Sequence, residues 1–163
     1  MKISGYQIAS FLKNPNPKVL GILLFGPEHG LIKERSKTLA RTVVEDLSDP
    51  FRINSITCSE LKANPPLLCD QAAQLTMTGG KRVIFVLEAN DSVSNIFKDY
   101  LNKSTNQTLV IAESGSLNPR SSLRKLFEKS EKAAAISCYE DNKDTLRTVI
   151  KETLGRFNLS ISG

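Results

Sequence analysis

The sequence predicts an α/β fold, a three-layer sandwich with a five-stranded parallel sheet between two layers of helices. Three observations predict it. Five apolar, β-rich runs recur along the 163 residues. Helical patterns alternate with them, the order that builds parallel strands through helical crossovers. Two of the runs, 22–25 and 83–87, are almost unbroken apolar stretches, which suits strands covered on both faces.

The elements follow in order. Residues 19–25, "VLGILLF", make the first strand, and Gly26 begins a turn. Leu31, Arg35, Leu39 and Val43 then share a helical face with Ile32 and Ala40. "FRINSIT" (51–57) is the second strand. "PPLLCDQAAQLTM" places Leu68, Ala72 and Leu75 at helical spacing, with prolines at its start and Gly79-Gly80 after its end, the expected asymmetry of helix punctuation. "RVIFVLE" (82–88) is the third strand. Ser92 can cap "VSNIFKDYLNK", whose stripe is Val93, Ile96, Phe97 and Leu101. "TLVIAES" (108–114) is the fourth strand, and "SSLRKLFEKSEK" supplies Leu123, Leu126 and Phe127 to another helix. "AAAISCY" (133–139) is the fifth strand. A last amphipathic helix follows, with Leu146, Val149, Ile150, Leu154 and Phe157 on one face. Its strong stripe, with only "SISG" after it, suggests a link cut from a longer protein; an ordinary helix docked on the sheet is the alternative.

Composition excludes several classes of function. Forty per cent hydrophobic and 24% charged residues are ordinary for a globular domain. No apolar run approaches the ~20 residues needed to cross a bilayer. The start, "MKISGYQIASFLKNPNP", lacks the apolar core of a signal peptide. A cytoplasmic protein with no membrane partner is expected. Cys58, Cys69 and Cys138 are widely spaced and His29 is the only histidine, so free thiols are expected and no metal. A net charge of +5 favours an anionic partner without naming one.

The stretch "GILLFGPEHGLIKERSKTLA" has the order of a phosphate-binding loop: strand, glycine turn, helix. A working loop reads GxxxxGK[ST], in which backbone N–H groups cradle phosphate, the lysine reaches the β- and γ-phosphates and the hydroxyl holds Mg²⁺. Counted from Gly26, those positions carry Leu31, Ile32 and Lys33. Gly26 and Gly30 survive to shape the turn, but the chemistry is lost. Lys33 comes one residue late, about 100° around the helix from the required direction. A helix N-terminus attracts anions, yet Glu28 opposes one here. Glu88 and Asp91 superficially resemble a magnesium-binding pair after a strand; without a phosphate lysine they are read as turn-forming acids. The site is therefore a degenerate nucleotide site, with no cofactor and no ATPase activity expected.

Taken in order, "VLGILLFGPEHGLIKERSKTLARTV", "LSDPFRINSI", "AAQLTMTGGKRVIFVLEAND" and "LVIAESGSLNPRSSLRKLFEK" resemble the delta-subunit family of bacterial DNA polymerase III, the clamp-loader component sometimes called the wrench. "DLSDPF" resembles the alphaproteobacterial type. The likeness covers roughly residues 17–160. It implies an AAA+ core that does not hydrolyse ATP, spanning 1–140, followed at 141–163 by the first helix of a lid domain, truncated. The family protein is about twice this length, and its collar domain, which assembles delta with the gamma/tau and delta-prime subunits, would be absent.

The resemblance also implies a partner and a site. The family's first domain binds the beta sliding clamp and holds one interface of the ring open for loading on DNA, as a non-catalytic part of a nucleotidyltransferase complex. ATP would bind on the partner subunits. The contact is an apolar pair, Leu or Met followed by Phe, at the end of the helix before the third strand. The aligned residues are Met77 and Thr78: Met77 matches and Thr78 departs from the family's Phe. Burying a Phe is worth roughly 1.5–3 kcal/mol, of which Thr recovers little. Met77 fills irregular pockets well, Leu75 would add to the anchor, and Lys81 would stand at its rim and steer an acidic partner. Leu75 and Met77 would equally serve to close the helix onto the sheet. Arg120, in "NPRSSLR", sits where related clamp-loader ATPases carry an arginine that acts on a neighbour's ATP. Contact with DNA would be indirect or weak, since no aromatic platform is interleaved with the basic residues. Two other classes stand beside this one: an active P-loop ATPase, and an α/β domain binding DNA or a small ligand outside replication.

Overall fold

The computed structural model describes residues 1–74, 79–104 and 108–139. In it the five apolar runs form strands β1 (Gly21–Phe25), β2 (Ile53–Thr57), β3 (Arg82–Leu87), β4 (Thr108–Glu113) and β5 (Ala133–Ser137). Every neighbouring pair is parallel and the order is β2-β3-β4-β1-β5. Gly21 pairs in register with Val110 on one side and Ala133 on the other, so β1 lies inside the sheet. Every residue of β1 and of β4 is buried, as strands covered on both faces require.

Helices cover both faces, which completes the three-layer α/β sandwich. Helices α1 (Gly5–Lys13) and α2 (His29–Arg41) lie on one face. On the other lie α3 (Cys58–Ala63), α4 (Leu67–Ala73), α5 (Ser94–Lys103) and α6 (Ser122–Lys129). Alternation along β1 divides the core between them. Ile22 and Leu24 pack with Phe11, Ile32 and Leu39, whereas Leu23 and Phe25 pack with Leu68, Phe97 and Phe127. Phe97 and Phe127 meet edge to face at 5.2 Å and 67°, a geometry worth about 1 kcal/mol beyond burial. The buried Tyr100 hydroxyl donates to the carbonyls of Leu20 at 3.0 Å and Thr108 at 2.8 Å. It thereby fastens α5 to the starts of β1 and β4.

Two helices, α1 and α3, are additional to those expected from the sequence. Both carry a start signal: Ser4 N donates to Gln7 Oε1 at 3.1 Å before α1, and Thr57 N donates to Glu60 Oε2 at 2.7 Å before α3. These are the spacings of a capping box. The cap expected at Ser92 belongs to Asn90, whose Oδ1 accepts from Ser92 N at 2.9 Å and opens a 3₁₀ turn ahead of α5. Residues 75–78 and the expected final helix at 141–163 lie outside the described residues. Among the described residues no helix is long and apolar enough to cross a membrane.

Candidate functional site

The glycine turn sits where β1 ends and α2 begins, at the carboxyl edge of the sheet, where open α/β sheets bind ligands. Gly26 has φ 144°, and a Cβ there would lie 2.2 Å from the Cys138 carbonyl oxygen. Only glycine fits. Gly30 makes no such demand: it lies in the first turn of α2, and a Cβ there would meet nothing within 4 Å. The conformational requirement of the turn thus rests on Gly26.

Two amides at the start of the loop are engaged by the protein's own carbonyls. Gly26 N donates to Gly115 O at 3.1 Å and Glu28 N to Cys138 O at 3.4 Å, while Pro27 has no N–H to offer. Ile32 is 3% exposed and buries among the α1–α2 core, with half-buried Leu31 packed against it. Lys33 turns to the nearly buried Glu113 carboxylate at the end of β4, with Nζ 2.5 Å from Oε2. A cavity of about 280 Å³ remains, lined by His29, Lys33, Glu88, Glu113 and Gly115 among others. Two carboxylates face one ammonium there, and Glu28 stands at the N-cap of α2. The balance repels an anion. Glu113 went unnoticed in the sequence; a carboxylate closing an otherwise apolar strand was the available signal.

Glu88 and Asp91 do not converge on a cation. Glu88 is exposed, with φ 56°. Asp91 accepts from the Ser121 hydroxyl and from Leu123 N at 3.1 Å, so it caps α6 from the neighbouring loop. The Ser121 hydrogen bond holds its carboxyl below the usual carboxylate range, against the opposing effect of burial. Among the described residues no group of histidine, cysteine and carboxylate side chains has metal-binding geometry. Cys58, Cys69 and Cys138 are free, and burial pushes the Cys69 and Cys138 thiols up.

At the opposite, amino edge, Leu75, Met77 and Thr78 lie outside the described residues, but both ends of their segment are firmly held. Before it, Arg82 is 7% exposed and its Nη1 donates to Gln71 O at 2.6 Å, while Thr108 Oγ1 donates to Ala72 O at 2.9 Å. Those contacts satisfy carbonyls at the end of α4. After it, Gly79 and Gly80 have φ 74° and 88°, and Arg52 Nη2 donates to Gly79 O at 2.9 Å. A Cβ on Gly80 would come within 3.1 Å of the Arg52 guanidinium. Lys81 is exposed at the threshold of β3. Arg82, next to Lys81 in sequence, is a buried brace.

The basic residues near α6 divide similarly. Arg124 lies 4.8 Å over the Phe25 ring and donates to Leu117 O and Glu128 Oε1, both at 2.9 Å, so it is structural. Arg120 and Lys125 are exposed, Arg120 in the turn before α6 rather than on it.

The fold is similar to that of two solved proteins related to clamp loaders. The Bacillus subtilis DNA clamp loader delta protein is similar over 98% of this chain and 49% of its own, with a TM-score of 0.65 at 19% identity. A DNA polymerase III gamma subunit-related protein from Thermotoga maritima is similar over 93% of this chain and 51% of its own, with a TM-score of 0.57 at 13% identity. The chain thus spans about half the length of each. No family model matches the sequence, and no curated protein matches it.

Proposed function

We propose that this chain is the clamp-binding, non-catalytic domain of a delta-type clamp-loader subunit acting in DNA replication. The observation that carries the reading is the pairing of a fold similar to a clamp-loader delta protein across nearly the whole chain with a carboxyl-edge corner that lacks the phosphate-loop lysine and whose Lys33 is held by Glu113. A domain of this kind does its work by binding rather than by hydrolysis. Residues 1–140 form the binding domain and 141–163 begin the lid. A collar farther along a longer chain joins it to the gamma/tau and delta-prime subunits.

The mechanism is mechanical. Met77, with Leu75 beside it, enters an apolar pocket on the beta sliding clamp, and Lys81 at the rim steers the encounter. The residues that flank the segment support this role: Arg82 holds the end of α4 and Arg52 holds Gly79. Such an anchor opens the ring only to the extent that it binds the opened interface better than the closed one. Thr78 in place of an aromatic leaves the plug smaller than in the family, which makes a single-site affinity modest.

The test is surface-plasmon binding of the immobilised chain to its cognate clamp. Saturable binding is expected, weakened about tenfold or more by Met77→Ala, the equivalent of ~1.4 kcal/mol. Absence of binding at high micromolar clamp would sink the proposal for this domain.

A further inference from the structure

A concavity of about 740 Å³ opens at the amino edge of the sheet, between the α1–β1 connection and the last turn of α2. Its floor is aliphatic: Leu12, Val19, Leu20, Val43 and Leu109 line it. Its rim carries Lys13 from the end of α1, Arg41 from the end of α2 and Lys81 from the approach to β3. All three cations are exposed. None forms an ion pair among the described residues, and no Asp or Glu lines the basin. The stretches that lead into Lys81 and Thr108, "LTMT" at 75–78 and "TNQ" at 105–107, contain no charged residue.

Lys13 and Arg41 each stand at the carboxyl end of a helix, where a cation complements the helix dipole. That role does not account for the convergence. Carbonyls at those helix ends already have donors, since Asn14 N bonds to Ser10 O and both Val43 N and Val44 N bond to Ala40 O. Three elements therefore bring like charges to one rim over an apolar floor, without an opposing carboxylate among the described residues. The arrangement is complementary to a ligand with the opposite pattern, an apolar side chain flanked by negative charge.

The geometry points to a docking site for an acidic segment of a protein partner, with a leucine- or phenylalanine-type side chain seated on the floor and carboxylates on Lys13, Arg41 and Lys81. The floor distinguishes this occupant from nucleic acid. A strand of DNA or RNA would need aromatic faces for its bases, and no aromatic side chain lines the basin, whose remaining lining is Asn14, Asn16, Thr38, Thr42, Thr108 and two prolines. The proposal does not rest on the ring-binding reading; Lys81 is the one residue common to both.

The experiment measures fluorescence anisotropy of three probes with the intact chain. One is a short labelled peptide of glutamates around two leucines, the second replaces each glutamate by glutamine, and the third is a short oligothymidylate. The acidic peptide is expected to bind about tenfold or more tightly than either of the others. Lys13→Glu/Arg41→Glu is expected to remove that preference. Both positions are exposed and Lys81 is untouched, so the variant keeps its binding to the clamp, and its melting temperature falls only by the loss of two helix-dipole contacts. Equal affinity for all three probes, tighter binding of the oligothymidylate, or an acidic-peptide affinity unchanged in the double variant would each overturn the proposal.

Discussion

The two edges of the sheet handle their polar groups in opposite ways. At the carboxyl edge, Lys33 meets Glu113, the amides of Gly26 and Glu28 meet carbonyls, and Asp91 meets Ser121 and Leu123. The edge that serves as a ligand site in open α/β sheets has been turned into internal structure. At the amino edge, Lys13, Arg41 and Lys81 have no ion-pair partner among the described residues. There the buried arginine Arg82 and the half-buried Arg52 instead hold the ends of the 75–78 segment. The difference teaches that the presence of a motif and the availability of its atoms are separate questions. A glycine turn between strand and helix remains, but its Gly26 and Glu28 amides already have acceptors and its lysine is paired.

The largest expected effect breaks the carboxyl edge itself. Gly26→Ala places a Cβ 2.2 Å from the Cys138 carbonyl oxygen at a φ of 144°, so either β5 moves or the turn does. Destabilisation of about 3 kcal/mol or more is expected, read as a lowered denaturation midpoint with an unchanged slope. Gly30→Ala is the internal control. With open space and a helical position, it should stabilise by up to about 1 kcal/mol.

At the amino edge the corresponding probe is Thr78→Phe, which restores the aromatic of the family pattern. If the segment anchors a ring, clamp affinity rises about tenfold or more, since a buried Phe is worth roughly 1.5–3 kcal/mol. An unchanged affinity would mean that the pocket is not filled from this position.

Much of this contrast was legible in the sequence, and the limits have physical causes. The strands were readable because a covered parallel sheet forces continuous apolar runs, as in residues 22–25 and 83–87. The loss of the phosphate chemistry was readable because that motif has fixed spacing, so Leu31 and Ile32 are visibly wrong. Glu113 was not, because its partner Lys33 is 80 positions away and only the register of β1 against β4 brings them together. The inward turn of Arg82 was hidden for a related reason. In sequence it continues the cation begun by Lys81, whereas strand alternation turns it inward to the carbonyls of α4. Helix α3, six residues long, has too few turns to establish a period, whereas α1 carried Ile8, Phe11 and Leu12 at helical spacing and a capping box that went unread.

The pair at the carboxyl edge gives a smaller effect with a clear sign. Lys33→Met leaves the nearly buried Glu113 without its partner. Because the Lys33 side chain is 58% exposed and water screens the pair, the cost is expected to be about 1 kcal/mol or less. Lys33→Met/Glu113→Leu should recover most of it, since removing both charges removes the desolvated carboxylate as well. A double-mutant cycle by urea denaturation measures the coupling; a coupling of zero would mean that the contact is incidental and the corner less closed than its geometry indicates.

The smallest effect separates a cap from a metal ligand at Asp91. Its folded pKa is held below the unfolded value of 3.8 by the Ser121 hydroxyl. A carboxyl of that kind adds stability that is complete above its unfolded pKa and is lost as pH falls through the folded one. Asp91→Asn should therefore cost at most about 1 kcal/mol near neutral pH, the scale of a helix cap. The gap between parent and variant should close in acid, as the parent's own carboxyl becomes protonated. Magnesium supplies the opposing test. A carboxylate committed to Ser121 and Leu123 leaves the melting temperature unchanged when millimolar Mg²⁺ is added, whereas a ligand set formed with Glu88 would raise it by mass action. A magnesium-dependent rise abolished by Asp91→Asn would return the carboxyl edge to the class of ligand sites and remove the contrast between the two edges.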